Sequence, residues 1–316
     1  MDYKFYNEDL NPQEFKITFE RIPQTDFLRL TNSISSFSVE SQIGRRFYFM
    51  VKNHDSIIGF IRISSPVISI SNRNELFGTR LNSTHINNHM MNGSVIIPVQ
   101  PFGFNYLGGK LLTLICVSNE MSEIIKEKVC DYCFLETTSL FGSTKKVCQY
   151  DGLEPYLKSF GLTKSDILLL PTSNILKELR DTLTPIYGKP EYNGRVVDIK
   201  KSSPKLREFN KLVSIIGTNL KKLDPRKYRD FKKLKEEHMM CHTQRGYYYS
   251  FLGYTNVIEH INQGVDLKDL DRKKYDFENL YNWWLKKSIN RYKKLKENNT
   301  FKTQLEIHSQ GNVIIR

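Results

Sequence analysis

The sequence predicts an α/β fold: a mixed central sheet flanked by helices, with a basic, mainly helical C-terminal region attached. Three observations carry that expectation. Between residues 96 and 171 the pattern runs strand, glycine turn, helix, strand, helix, strand, the alternation typical of a layered α/β core. Ahead of it, residues 47–70 combine apolar alternation and β-branched residues with a turn at Asn53-His54-Asp55-Ser56, which reads as a hairpin. Beyond it the charge becomes one-sided: residues 195–300 hold 25 Lys and Arg against 13 Asp and Glu, close to the whole net charge of +13.

Taken in order, residues 1–40 carry few periodic signals and read as an N-terminal extension. Within them Pro12-Gln13-Glu14-Phe15 suits a short helix, and the Ser-rich residues 31–38 suit a loop or edge. Residues 41–171 read as the core domain. Phe47–Val51 and Ser56–Ile63 are strand candidates, and Pro66 demotes the residues after it to an edge or bulge. Asn72-Arg73-Asn74-Glu75 reads as a charged loop, and residues 84–91 as a helix. Val95–Val99 is a strand, and residues 111–129 form one apolar-periodic helix. Residues 132–140 read as a strand, 141–149 as a loop, 150–159 as a helix and 167–170 as a last strand. Pro185, Gly188, Pro190 and Gly194 mark 172–194 as a linker or arm, leaving 195–316 as the basic region.

Composition bounds the function. The pI near 9.3 points to an anionic partner. No stretch reaches the roughly 20 apolar residues of a membrane span, and Met1-Asp2-Tyr3-Lys4 does not begin a secretory leader, so a cytoplasmic location without membrane attachment is the expectation. Five cysteines, odd in number and sparse, do not describe a disulfide framework.

Several residues bear on chemistry. Gly108 and Gly109 stand at the mouth of a helix, where unpaired N–H groups and the dipole favour an anion such as phosphate, and Lys110 adds a formal charge. In the basic region Lys221, Lys222, Arg226, Lys227, Arg229, Lys232 and Lys233 recur with Tyr228 and Phe231. Lys286, Lys287, Arg291, Lys293 and Lys294 come after Trp283-Trp284. Cations that neutralise phosphates and aromatics that can stack on bases are the footprint of a nucleic-acid binder, so DNA is the expected partner. His85 and His89, four apart, have metal-binding spacing but no evident third ligand, and read as surface histidines. Cys130 and Cys133 form a lone C-x-x-C that only Cys148 or the His238–His242 cluster could complete, so unpaired thiols are expected and no metal.

The segments 59–78, 97–112 and 135–152, with the strands and glycine turn above, resemble a GNAT-type acyltransferase core. Within it they are similar to the phage Mom family of DNA adenine modifiers and to the family of the Druantia anti-phage system; residues 238–251 and 283–295 support the Druantia likeness. The resemblance implies that Tyr106, Gly108, Gly109 and Lys110 hold the phosphates of acyl-CoA or a related phosphorylated donor, and that residues 149–162 form a last helix. It also implies that Arg73 lies in a charged loop near the cleft, able to meet phosphate or orient a substrate, the alternative being a solvated turn, and that Glu136 and Tyr150 converge on the transfer centre. Glu136 could then serve as a general base, or be a strand-end surface acid; Tyr150 could donate a proton, stack on a base, or be a core aromatic. The adjacent glycines depart from the acetyltransferase spacing, so the donor does not follow from the fold. The reading is a transferase acting on DNA bases. Two alternatives stand beside it: a non-catalytic DNA-binding component of a phage-defence or mobile element, or an enzyme that nicks and rejoins DNA through a tyrosine such as one of Tyr247-Tyr248-Tyr249.

Overall fold

A computed structural model describes residues 3–35, 39, 44–139, 148–163, 177–178, 181–182, 185, 204–234 and 244–307. The expected strand at 167–170, His238, Cys241, His242 and most of the 172–194 arm fall outside these residues. The chain divides into two compact units, Met1–Ser165 with Gln244–Arg316, and Asp166–Thr243. The boundary expected near 171–195 therefore does not separate the whole basic C-terminal region from the core, because residues 244–307 return to the first unit.

In the first unit β1 (Ile17–Arg21), β2 (Arg46–Asn53), β3 (Ser56–Ser64), β4 (Met90–Pro98), β5 (Phe134–Ser139), β6 (Lys158–Leu162) and β7 (Gly246–Ser250) form one sheet in the order β1-β2-β3-β4-β5-β7-β6. The β4/β5 junction is parallel and the others are antiparallel, so the sheet is mixed, as expected. Helices α1 (Gln24–Ile34), α2 (Ser71–Leu76), α3 (Ser83–His89), α4 (Phe102–Tyr106), α5 (Gly108–Val117) and α6 (Asn119–Lys126) precede β5. The second unit contributes α7 (Pro204–Leu223) and α8 (Pro225–Leu234), and the returning chain adds α9 (Val257–Gln263) and α10 (Phe277–Glu297).

Strand alternation explains the layers. Along β2, Phe47, Phe49 and Val51 enter the core beneath α5, α6 and α10, while Tyr48 and Met50 enter the one beneath α1. A strand buried on both faces reads as a near-continuous apolar run, and β3 is buried along its whole length. The two form the expected hairpin, with His54 supplying the left-handed turn residue at φ 51°. Gly59 lies where α5 crosses β3: a Cβ there would stand 2.8 Å from the Ile97 carbonyl oxygen and 2.5 Å from Leu112 Cδ1. Backbone cannot yield as a side chain does, so Gly59→Ala is expected to cost about 1–3 kcal/mol of stability, read as a lower urea midpoint.

Four local expectations change. The helix read over 111–129 is two helices, because Ser118 ends α5 and caps α6, its side chain accepting the Met121 N–H at 3.1 Å. Asn72–Glu75 lies in α2 rather than a loop. Residues 17–21 and 24–34, read as extension and loop, are an edge strand and a helix whose Phe27 and Leu30 are buried. The helix expected over 150–159, and with it the last helix implied by the resemblance, is replaced by turns and then β6, since β7 offers Tyr248 and Tyr249 as pairing partners for Ser159 and Lys158.

Candidate nucleic-acid interface

An aromatic cluster fixes α10 to the core. The fully buried ring of Trp284 stacks near Phe15 and Phe102, and its indole N–H donates to the Leu107 carbonyl at 3.2 Å. Leu107, at φ 57°, is the left-handed joint between α4 and α5, so the Trp284 bond holds in place a conformation that leucine seldom adopts. Tyr106 donates its hydroxyl to the Leu10 carbonyl at 3.0 Å and stacks on Tyr292.

With one side of α10 occupied in this way, its polar side faces solvent. Lys286, Lys287, Lys293 and Lys294 are exposed, and at 100° per residue they fall on one stripe. No acidic residue occurs between Asn279 and Lys296. Arg291 is held differently: its guanidinium lies 4.6 Å from the Phe104 ring centroid and Nε donates to the Phe104 carbonyl at 3.3 Å.

Beside this helix opens a pocket of about 420 Å³, lined by Phe104, Gly109, Lys110, Gln149, Lys302 and Glu306 among others, with Glu306 lying 3.6 Å from the Lys302 ammonium. Asn105 builds its wall by accepting from the Lys302 N–H at 3.1 Å and donating to the Lys302 carbonyl at 2.7 Å. Lys302 Nζ then sits 4.7 Å from the Phe104 ring centroid. The Lys110 ammonium meets the Asp151 carbonyl. Burial lowers the Lys110 pKa first; the Asp151 charge opposes this, and nearby Lys287 adds to the lowering. Lys287 of the exposed stripe therefore lies near enough to act on the Lys110 charge. Of the four residues expected to hold a donor, Gly109 and Lys110 line the pocket. Tyr106 and Gly108 do not: Tyr106 is fully enclosed, and the space a Gly108 Cβ would need is taken by the Phe102 ring, 2.6 Å away. The bare Cα of Gly109 is likewise filled, by the Gln149 side chain. Close packing therefore accounts for both glycines.

Glu136 and Tyr150 are not brought together. Neighbours on a strand point to opposite faces. Glu136 shares the face of Tyr247 and Tyr249, while Thr137 shares the face of Tyr150 and Tyr248. Glu136 is no surface acid: its Oε1 accepts from Arg73 at 2.9 Å and its Oε2 from the Tyr247 hydroxyl at 2.6 Å, with both Arg73 and Glu136 fully buried. Burial pushes the Glu136 carboxyl above its usual range, and the Arg73 charge and the two hydrogen bonds pull it back. Arg73 also donates to the Val67 and Ile68 carbonyls at 2.8 and 2.7 Å. The expectation that Arg73 meets phosphate is thus overturned: its charge is spent within the fold. Tyr150 accepts from Thr137 at 3.4 Å, and burial pushes its pKa up to about 12.

Nor do the tyrosines of β7 resemble an activated nucleophile. Tyr247 donates to Glu136 and Tyr248 to Asp151 Oδ1 at 2.8 Å, while Tyr249 stacks on Phe134. Burial raises the pKa of all three, the opposite of activation.

In the second unit α7 and α8 pair, and Asp224 caps α8 by accepting the Arg226 and Lys227 N–H groups at 3.0 and 3.1 Å. Lys221, Lys222, Arg226, Lys227, Arg229, Lys232 and Lys233 are exposed. Tyr228 and Phe231, expected to stack on bases, are half-buried toward Gly217 of α7. Their amphipathic spacing is the signal for packing.

No helix of the described residues is long and apolar enough to cross a membrane. The family described as Druantia protein DruA matches residues 2–165, which falls on the Druantia side of the two likenesses the sequence suggested. Neither a curated protein nor a solved structure matches.

Proposed function

The chain belongs to the Druantia protein DruA family, and from that premise we propose that it is the component of an anti-phage defence system that holds DNA, through the lysines of α10 and the pocket beside them. Family membership supplies the defence role. The observation that carries the DNA reading is the acid-free stripe of Lys286, Lys287, Lys293 and Lys294, running beside a pocket lined by Lys110 and Lys302. Spaced ammonium groups on a rigid helix neutralise successive phosphates, and the pocket, with Phe104 in its wall, suits a phosphate or an unstacked base. The basic faces of α7 and α8 offer further contacts of the same kind.

Fluorescence anisotropy of the full chain on duplex and single-stranded DNA, repeated across salt concentrations, tests this. Four phosphate contacts on a duplex correspond to a slope of log K against log salt of about −3.6, so a slope at least that steep is expected. No binding at low salt, or binding indifferent to salt, would sink the proposal.

A second reading, transfer of a group to DNA bases from acyl-CoA or another phosphorylated donor in a GNAT-like core, draws on the pocket. Its volume lies in the usual small-ligand range, and Gly109 and Lys110 at the start of α5 line it. Against it stand the separation of Glu136 from Tyr150 by the sheet and the strand found where a last helix was implied. Mass spectrometry of nucleosides from expressing cells decides: altered adenine supports transfer, and unmodified bases together with no calorimetric binding of acyl-CoA remove it.

A further inference from the structure

On the sheet face opposite the pocket, three residues distant in sequence converge. His89 ends α3, Cys133 precedes β5, and His260 lies on α9; one ring nitrogen of each histidine and Cys133 Sγ lie within 4.8 Å of one another. The backbone fixes this arrangement. The Cys133 N–H donates to the His89 carbonyl at 3.0 Å where β4 and β5 begin to pair, and the two imidazoles meet edge to face at 5.1 Å between centroids.

We infer that His89, Cys133 and His260 form a binding site for a borderline-soft divalent cation, zinc in the first instance, with the fourth position left to solvent. Each imidazole is oriented by a backbone carbonyl at Nδ1: Asp131 O at 3.2 Å for His89, Val265 O at 2.6 Å for His260. A carbonyl only accepts, so each Nδ1 carries the proton and Nε2 keeps the lone pair, the arrangement by which protein carbonyls commonly set a ligating histidine. The independent sign of a missing ligand is His260 Nε2, which is enclosed and has no hydrogen-bond partner. Leaving such an atom unpaired is costly, and a cation would satisfy it.

The donor set also fits by type. Thiolate and imidazole together select zinc over magnesium or calcium, which prefer oxygen. A tetrahedral zinc at about 2.0–2.1 Å from nitrogen and 2.3 Å from sulfur places its ligands roughly 3.3–3.6 Å apart. The three atoms lie no more than 4.8 Å apart, so a closure of at most about 1–1.5 Å brings them to those separations, at two rings that are only half-buried. On binding, the Cys133 S–H bond breaks, its proton leaves to solvent, and the sulfur lone pair forms the S–Zn bond. Three protein ligands and one open position is the pattern of zinc sites that accept an exchangeable fourth ligand.

The test is titration of the chelator-stripped full chain with Zn²⁺ by calorimetry and with Co²⁺ by absorbance. The expected result is one equivalent of Zn²⁺, and a cobalt spectrum combining tetrahedral d–d intensity with a thiolate charge-transfer band. That band should vanish in Cys133→Ser and persist in Cys130→Ser. His260→Ala and His89→Ala should each weaken Zn²⁺ binding by more than about 100-fold, with folding checked by circular dichroism. Failure of the unaltered chain to bind one equivalent, or a charge-transfer band that follows Cys130 instead of Cys133, would overturn the inference whether or not any variant folds.

Discussion

Arg73→Met should lower the stability of the first unit by about 3–5 kcal/mol, the usual cost of removing one partner from a buried ion pair. The guanidinium bridges Glu136 and the carbonyls of Val67 and Ile68, so its loss strands a buried carboxylate and frees two acceptors together. Glu136 would keep only the Tyr247 hydroxyl. Arg73→Lys should fall between, because one ammonium cannot reproduce a planar fork reaching three acceptors. Arg73→Met combined with Glu136→Leu should recover much of the loss, since apolar groups of similar volume do not need the pair. Both tryptophans lie on α10, so their fluorescence in urea reports this unit even if the other unfolds separately. A loss below about 1 kcal/mol would show that the pair is dispensable. DNA affinity measured well below the unfolding transition should stay unchanged in Arg73→Met; a large drop would return Arg73 to the contact surface.

Local features are the ones legible in the sequence. The β2/β3 hairpin follows from apolar alternation and a four-residue turn, both contained within 20 residues or so. The apolar helix after the glycines follows from its period, although Ser118 divides it, and its N-cap role is readable from the polar Ser118-Asn119-Glu120 inside an apolar run. Features joined across the chain stay hidden. Arg73 and Glu136 are 63 positions apart, and neither neighbourhood signals the other. Period 2 along β5 does say that Glu136 and Thr137 face opposite ways, so the separation of Glu136 from Tyr150 becomes visible once Tyr150 is known to bond Thr137. Residues 158–162 carry Gly161 and only a weak strand pattern; they are a strand because β7, whose paired residues lie 84 to 91 positions later, offers an edge. His260 escapes a sequence reading for the same reason, its partners lying on α3 and beside β5. The basic excess is legible as composition, but amphipathy shows that a helix has a buried side without saying what covers it, so the return of α10 to the core cannot be read.

Replacing Lys286, Lys287, Lys293 and Lys294 together by alanine should reduce the salt slope on duplex DNA by about 3–4 and weaken binding most at low salt. These side chains do little for the fold itself. All four are exposed, and alanine is at least as good a helix former as lysine. Only Lys287 has a packing partner of note, its ammonium 4.3 Å from the Trp283 ring centroid, a contact of about 0.5–1 kcal/mol at an exposed site. Folding should therefore survive while phosphate neutralisation is lost, and the parallel removal of Lys221, Lys222, Arg226 and Lys227 measures what the second unit adds. A slope unchanged by the first set but flattened by the second would place the grip on α7 and α8. A slope unchanged by both would leave the basic stripe without a nucleic-acid role, because a phosphate contact that releases no counterion when its cation is deleted was never made.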